Sequence, residues 1–309
     1  MEHIINFKNI DKEYLEDVLV RAMDIKKNPN KYNDCLKGKK MYMLFEKTST
    51  RTALSFGLGM QELGGMYFNQ TWRDSNFTVG DVRDETRYVA KNVDVIMARL
   101  KENKTLMEMQ QYADVPVING CCNMYHPSQA LADMLTIKEI FGTYNIKMMY
   151  IGIRNNVSNS LTETLPILGG KLYMMTPIIN EPSVDEEIIE RAKKTGNYKE
   201  IEHNISREDF IKLVNEMDVL YTDSWVDMEF FNDSKCEKFK EDRIKKMSPY
   251  QINTEMIKNS SAIVMHDMPI HVGYEITREV VEKNMETILR QSENRRHAEK
   301  GLLYKILVE

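Results

Sequence analysis

Phe45-Glu46-Lys47-Thr48-Ser49-Thr50-Arg51-Thr52-Ala53-Leu54-Ser55-Phe56 is the stretch on which the fold turns. An apolar run of strand length, residues 41–45, ends at its first residue. A hydroxyl-rich turn follows, and a helical pattern is predicted over residues 52–63. Outward from here the alternation repeats. Strand-length runs fall at residues 93–98, 115–118, 147–153, 172–175, 219–222 and 262–265. Helical patterns fall at 82–91, 106–112, 127–141, 161–168, 184–194 and 279–284. Such alternation predicts parallel sheets with helices on both faces. Seven or more strands over 309 residues fit two sheets better than one. The expected fold class is therefore α/β with two lobes, each a parallel sheet flanked by helices, and residues 127–141 could link them. A last helix, 293–307, carries Leu302, Leu303, Ile306 and Leu307, an apolar face that should dock.

Composition narrows the function classes. A length of 309 residues means two domains or one large one. Lys plus Arg is 42 and Asp plus Glu is 47, a net charge of −5, which argues against generic nucleic-acid binding. No apolar run approaches the roughly 20 residues of a membrane span. The opening Met1-Glu2-His3-Ile4-Ile5-Asn6 lacks a secretory profile. Cys35, Cys121, Cys122 and Cys236 show neither CxxC pairing nor ligand-spaced histidines, so no zinc site or disulfide framework is expected. The expected localisation is cytoplasmic. Gly152 stands without GxGxxG companions, which removes a dinucleotide-binding reading.

Three segments carry chemistry. At the strand-to-helix turn, the first helical N–H groups are unsatisfied and carry partial positive charge, so an anion settles there readily. Ser49, Thr50 and Thr52 add hydroxyls, and Arg51 adds a planar fork suited to phosphate oxygens. An ordinary Ser/Thr cap with a solvent-facing arginine reads equally well from this stretch alone. The second segment is Met97-Ala98-Arg99-Leu100, which puts Arg99 at a strand's carboxyl end, where open α/β sheets place active residues. The third is Tyr125-His126-Pro127-Ser128-Gln129-Ala130-Leu131-Ala132-Asp133. Proline favours the first helical turn, which sets His126 at the helix start with Gln129 in its first turn. The helix dipole opposes protonation there, so a neutral imidazole donor is expected; a merely capping histidine is the plainer alternative.

Ser49-Thr50-Arg51-Thr52, Arg99 and His126-Pro127-Ser128-Gln129, in this order, resemble the carbamoyl phosphate site of the aspartate/ornithine carbamoyltransferase family. Residues 45–52 and 115–133 look closest to the ornithine branch. The likeness extends to residues 150–160, 221–228, 266–269 and 293–295 and so covers nearly the whole chain. It implies a carbamoyl phosphate-binding domain (1–143), an acceptor amine-binding domain (144–288) and a C-terminal helix (289–309) returning to the first domain. It also implies a homo-oligomer, a trimer or a multiple of trimers, and no metal or organic cofactor. The implied reaction is transfer of the carbamoyl group to an amine. Ser49, Thr50, Arg51 and Thr52 would hold phosphate. Arg99, His126, Gln129 and Arg295 would surround the phosphate and carbamoyl group.

The acceptor side departs from the family pattern. Asn155-Asn156, Asp223 and Trp225 are kept, and Asn156 is the candidate for the acceptor's amino-acid head. Asp227 stands where the ornithine branch has serine, ahead of Met228, and Glu229 stands where it has glycine. His-Cys-Leu-Pro has become His266-Asp267-Met268-Pro269. A carboxylate at Asp267 would hold an ammonium group charged unless it serves as general base. The added acids favour a cationic acceptor. An ornithine-like amino acid is the first choice, with a diamine such as putrescine, or lysine, as runner-up; Asp227 and Asp267 could also be drift in a solvent-facing loop. A catalytically silent phosphate-binding paralogue is the remaining alternative. Elsewhere, Cys121-Cys122 reads as core, residues 235–246 as a charged, solvated stretch, and Arg83 as a remote candidate for phosphate contact.

Overall fold

The computed structural model describes residues 2–226, 228–231 and 234–309, with the side chains of residues 228, 229 and 234 outside that description. In chain order the elements are α1 (Lys12–Lys27), β1 (Lys40–Phe45), α2 (Thr50–Glu62), β2 (Met66–Thr71), α3 (Val82–Ala90), β3 (Val95–Arg99), α4 (Asn103–Tyr112), β4 (Val117–Cys121) and α5 (Pro127–Phe141). The chain continues with β5 (Lys147–Arg154), α6 (Asn156–Leu168), β6 (Lys171–Ile179), α7 (Glu186–Lys194), β7 (Tyr198–Glu200), α8 (Arg207–Asn215) and β8 (Val219–Thr222). It ends with α9 (Met228–Phe231), α10 (Glu237–Met247), β9 (Ile263–His266) and α11 (Arg278–Val308).

Two wholly parallel sheets result, in the orders β2-β1-β3-β4 and β7-β6-β5-β8-β9. Central strands β3 and β5 are buried at all but one residue each, which is why they read as continuous apolar runs rather than alternating ones, and β4, at the end of its sheet, is buried throughout. In the first sheet the chain steps from β1 to β2 and then returns to the far side of β1 with β3. In the second it steps from β5 to β6 and β7 and returns beside β5 with β8. At each reversal a crevice opens beyond the carboxyl ends of the two strands, the place where such sheets bind ligands. Residues following β1 and β3 therefore face one crevice, and residues following β5 and β8 the other.

One hydrophobic cluster runs through both lobes. It joins Met43 and Met97 of the first sheet to Met148 and Tyr150 of the second through α1, α5, α6 and the end of α11. The 31-residue α11 is a single helix where the sequence pattern separates residues 279–284 from 293–307. It packs on β9 first and only further along on α5, α2 and α1, reaching α5 at Gln291, so its first turns belong to the second lobe's core. Gly301 lets it approach α1 closely, since a Cβ there would lie 2.5 Å from the Val18 carbonyl oxygen.

Several elements lie beyond the sequence pattern. Strand β2 is almost wholly exposed and β7 has three residues, so neither leaves an apolar run. Helix α1 buries Leu15, Val18, Leu19, Ala22 and Ile25 behind an Asp11 N-cap, a legible signal that the alternation argument passes over. Residues 235–246, expected as a solvated stretch, are mostly the helix α10. It buries Met247 and holds the Arg243 guanidinium 4.3 Å from the Phe239 ring centroid.

Candidate active site

The carboxyl ends of both sheets meet around one cavity of about 590 Å³. Its first-lobe wall includes Arg51, Arg99, Cys121, Cys122 and His126, with Arg295 from α11. The facing wall includes Asn155, Asn156, Asp223, Ser224, Asp267 and Met268.

Helix α2 starts at Thr50 because Ser49 caps it, its Oγ accepting the Thr52 N–H at 3.1 Å. The plain capping role is thus real: Thr48 and Thr50 are exposed and Ser49 is half-buried, and only further in does the turn enter the protein. Thr52 is fully buried, and its Oγ1 accepts from Arg99 Nη1 at 3.3 Å and Arg295 Nη2 at 2.9 Å. One threonine therefore gathers two arginines from separate elements. Among the described residues, the Nε atoms of Arg51, Arg99 and Arg295 have no hydrogen-bond partner. Burial pulls the Arg51 guanidinium below its usual pKa; nearby Arg295 and Arg99 add to this, and Asp267 opposes it. A concentration of unneutralised, partly desolvated positive charge is an anion site.

His126 occupies the N-cap of α5, with Pro127 as first helical residue, yet its side chain makes no capping hydrogen bond. Its backbone N–H instead donates to Ser160 Oγ of α6 at 2.9 Å, which pins it to the second lobe. Burial, then Arg295, Arg99 and Arg51, hold its pKa well below the usual value. The imidazole is neutral, as expected, although burial and the arginines dominate over the helix dipole. Gln129 is buried, and its Nε2 donates to Asp133 Oδ1 at 2.9 Å.

On the facing wall Asn155 caps α6 in a reciprocal box, accepting from Val157 N and Ser158 N while its own N–H donates to Ser158 Oγ. Its Nδ2 donates to Asp223 Oδ2 at 2.5 Å. Asn156 reaches across the lobe junction, donating from Nδ2 to Cys122 O at 2.7 Å and Cys121 Sγ at 3.1 Å. Asp223 directly follows β8 and Asp267 directly follows β9. Burial, then the charge of Asp223 and a hydrogen bond to it, raises the Asp267 pKa well above its ordinary value. The ligand-capable atoms of Asp223, His266 and Asp267 lie within 4.8 Å of one another, a metal-like spacing. His266 has no lone pair to give, however. Its Nδ1 accepts from Met268 N at 2.9 Å, which leaves Nε2–H to donate to Glu275 Oε1 at 3.2 Å.

Of the residues singled out from sequence, Arg51, Arg99, His126, Arg295, Asn156, Asp223, Asp267 and Met268 line this one cavity, with Thr52 bonded to two of them; Ser49, Thr50 and Gln129 are not among the lining residues, Gln129 being buried in the first turn of α5 after His126. Asp227 lies outside the described residues, as does the side chain of Met228. Arg83 is elsewhere, paired with Asp84 at 3.1 Å on an exposed face. Cys121 and Cys122 are buried as expected and also line the cavity. Sequence reasoning gave no role to Asp133, Tyr221, Gln291 or Glu299, all fully buried. The four-residue spacing from Gln129 to Asp133 on a helix is the signal that could have found the first of them.

Comparison with known proteins agrees with this geometry. Residues 2–139 match the carbamoyl-P binding domain model, and 144–306 the Asp/Orn binding domain model, of aspartate/ornithine carbamoyltransferase. An ornithine carbamoyltransferase of Archaeoglobus fulgidus is 36% identical over 317 residues, covering 99% of this chain and 98% of that protein. One from Methanobrevibacter smithii is 37% identical over 311 residues, covering 99% of this chain and 100% of that protein. Among solved structures, the ornithine carbamoyltransferase of Pyrococcus furiosus superposes with a TM-score of 0.88 at 33% identity, covering 99% of this chain and 97% of that one. The anabolic enzyme of Campylobacter jejuni gives 0.87 at 31% identity, covering 99% of each chain.

Proposed function

The chain belongs to the aspartate/ornithine carbamoyltransferase family, and on that premise we propose that it transfers the carbamoyl group of carbamoyl phosphate to the side-chain amine of ornithine, giving citrulline and phosphate. The observation that carries this reading is the polarity of the cavity: Arg51, Arg99 and Arg295 converge on one wall, and Asp223 and Asp267 face them from the other. A dianionic donor fits the first wall and a cationic acceptor the second. Residues 1–143 form the donor domain in this reading, and residues 144–288 the acceptor domain.

Ser49, Thr50, Arg51 and Thr52, with the start of α2, hold the phosphate, and Arg99 neutralises its charge. The carbonyl oxygen lies against Thr52, His126 and Arg295, donors fixed before the reaction where the oxyanion develops. A neutral His126 donates without adding a proton to the balance.

An alkylammonium of pKa about 10.4 costs about 4–5 kcal/mol to deprotonate at pH 7. In the ionised state the Asp223–Asp267 pair attracts that ammonium and takes one proton from it. The freed nitrogen lone pair forms the C–N bond, and the carbonyl π electrons move onto oxygen. Collapse of the adduct breaks the C–O bond to phosphate, and the second nitrogen proton leaves with hydrogen phosphate. Asn156, with Met228, Asp227 and Met268, belongs to the acceptor's surroundings in this assignment.

The exposed edge strand β2 presents Met66, Tyr67 and Phe68, and Leu54 and Leu58 of α2 add to the exposed apolar surface. That surface supports a homotrimer assembled through the first lobe. The four described cysteines are free, and among the described residues no helix is long and apolar enough to cross a membrane, which supports a cytoplasmic location.

An acceptor panel of ornithine, putrescine, lysine and aspartate with carbamoyl phosphate tests the reading. Citrulline formation with ornithine the preferred acceptor is expected; preference for putrescine moves the assignment to a diamine, and turnover with aspartate alone overturns the charge argument.

A further inference from the structure

We propose that Asp133 is a positioning residue: with Gln291 it fixes the amide of Gln129 so that its carbonyl oxygen is kept for the carbamoyl nitrogen of the donor. The inference rests on the function proposed above and concerns how the site tells this donor from other acyl phosphates.

The donor wall is built of hydrogen-bond donors. Arg51, Arg99, Arg295 and Thr52 suit phosphate and carbonyl oxygens, but a carbamoyl group also carries an NH₂, which needs an acceptor. Gln129 Oε1 is a buried acceptor with no hydrogen-bond partner among the described residues. It sits in the first turn of α5, whose cap, His126, lines the cavity. A glutamine amide presents either oxygen or nitrogen depending on a single half-turn, so its partner decides which. Here Nε2 is committed to Asp133 Oδ1 at 2.9 Å. A flipped amide would set Oε1 against the carboxylate, acceptor against acceptor. The orientation is therefore imposed by Asp133.

Asp133 is held in turn. The same Oδ1 accepts from Gln291 Nε2 of α11 at 2.7 Å. That Nε2 also reaches Tyr221 Oη at 3.1 Å, and Gln291 Oε1 accepts the His266 N–H at 3.0 Å. Tyr221 lies on β8, two residues before Asp223, and His266 ends β9 beside Asp267. The amide that would read the donor is thus keyed to the strand ends that carry the acceptor acids, through side chains that are fully buried.

Acetyl phosphate is the probe, since it keeps the carbonyl and phosphate and replaces NH₂ by CH₃. Binding of each acyl phosphate to the intact enzyme is measured by titration calorimetry and by competition against carbamoyl phosphate turnover. The parent is expected to prefer carbamoyl phosphate by at least tenfold. Asp133→Leu should cut that preference at least fivefold, leave acetyl phosphate affinity within twofold, and lower kcat without changing the KM for ornithine. Asp133→Asn can still present an oxygen to Gln129 and should keep the preference within threefold, which guards against a variant that fails to fold. Gln129→Leu should lose the preference to the same extent as Asp133→Leu. Equal weakening of both acyl phosphates in Asp133→Leu, or equal loss of preference in Asp133→Asn, overturns the proposal. A parent that binds acetyl phosphate as well as carbamoyl phosphate overturns it too, while a parent that binds neither defeats the underlying function instead.

Discussion

The two walls of the cavity are built from the same grammar and differ in what they say. Each places its polar groups just beyond the carboxyl ends of strands at the point where strand order reverses. On the first wall these groups are arginines and a helix start, held by short contacts such as Arg295 to Thr52 at 2.9 Å. On the second they are two acids, Asp223 and Asp267, with oxygens within 4.8 Å of one another. The positive wall has few solutions, because a dianion requires several cations in one place. The acidic wall has more, because an amine can be steered by one acid, two acids or an acid and a thiol. A fold can thus keep its donor wall fixed and vary its acceptor wall.

Removing a member of the positive wall should be the most damaging change. Arg51→Ala should lower kcat/KM at least 1000-fold with every acceptor in the panel, measured as phosphate release, because it withdraws charge from both the bound dianion and the developing oxyanion. If the loss were confined to one acceptor, Arg51 would belong to the opposite wall and the comparison would fail.

Changes on the acidic wall should be smaller and depend on the acceptor. Asp267→Asn should cut kcat with ornithine about 100-fold, in the range of a lost general base. The parent's kcat/KM should rise with pH as the raised pKa of Asp267 is passed, since only its carboxylate can take a proton. In Asp267→Asn that limb should vanish and leave only the acceptor amine's own titration. Asp267→Cys should keep turnover while shifting preference among ornithine, lysine and putrescine. An unchanged pH profile in Asp267→Asn would remove Asp267 from the chemistry.

The contrast between the walls also decides what the sequence could disclose. Arg51, Arg99 and His126 were legible because each sits at a recognisable junction, strand to helix or helix start, and Arg295 through the resemblance alone. Strand β2 was not, because its exposed residues carry no apolar run. Gln291 reads as an ordinary helix residue because Asp133, its partner, lies 158 residues away, and nothing in the sequence shows that Glu299 is fully buried beside Arg295. The resemblance assigns Asn156 to the acceptor's amino-acid head, and the structure adds bonds from it to the Cys121–Cys122 turn of the other lobe. That long-range partner points to a smaller effect for Asn156→Ala, about tenfold on the KM for ornithine in steady-state kinetics, with donor binding unchanged.

The smallest effect should come from behind the donor wall, where Glu299 breaks the rule that this side is positive. It is fully buried, 3.9 Å from Arg295 Nη2, and burial is the main cause that raises its pKa to about 8. An ionised Glu299 would neutralise Arg295 and weaken the anion site; a protonated one leaves that charge available. With an ordinary value of 4.5 in the unfolded chain, the folded state binds the extra proton between the two values. The stability this contributes is complete below 4.5 and lost as pH rises through about 8. Glu299→Gln cannot ionise, so its unfolding free energy from urea titration should match the parent's near pH 4 and exceed it by a margin that grows as pH rises to about 8 and then stays constant. As pH passes about 8 the parent's KM for carbamoyl phosphate should rise more than the variant's. Parallel stability curves for the two proteins would mean that Glu299 is ionised throughout and permanently paired with Arg295. Arg295 would then serve the site as a neutralised hydrogen-bond donor, and the positive wall would rest on Arg51 and Arg99 alone.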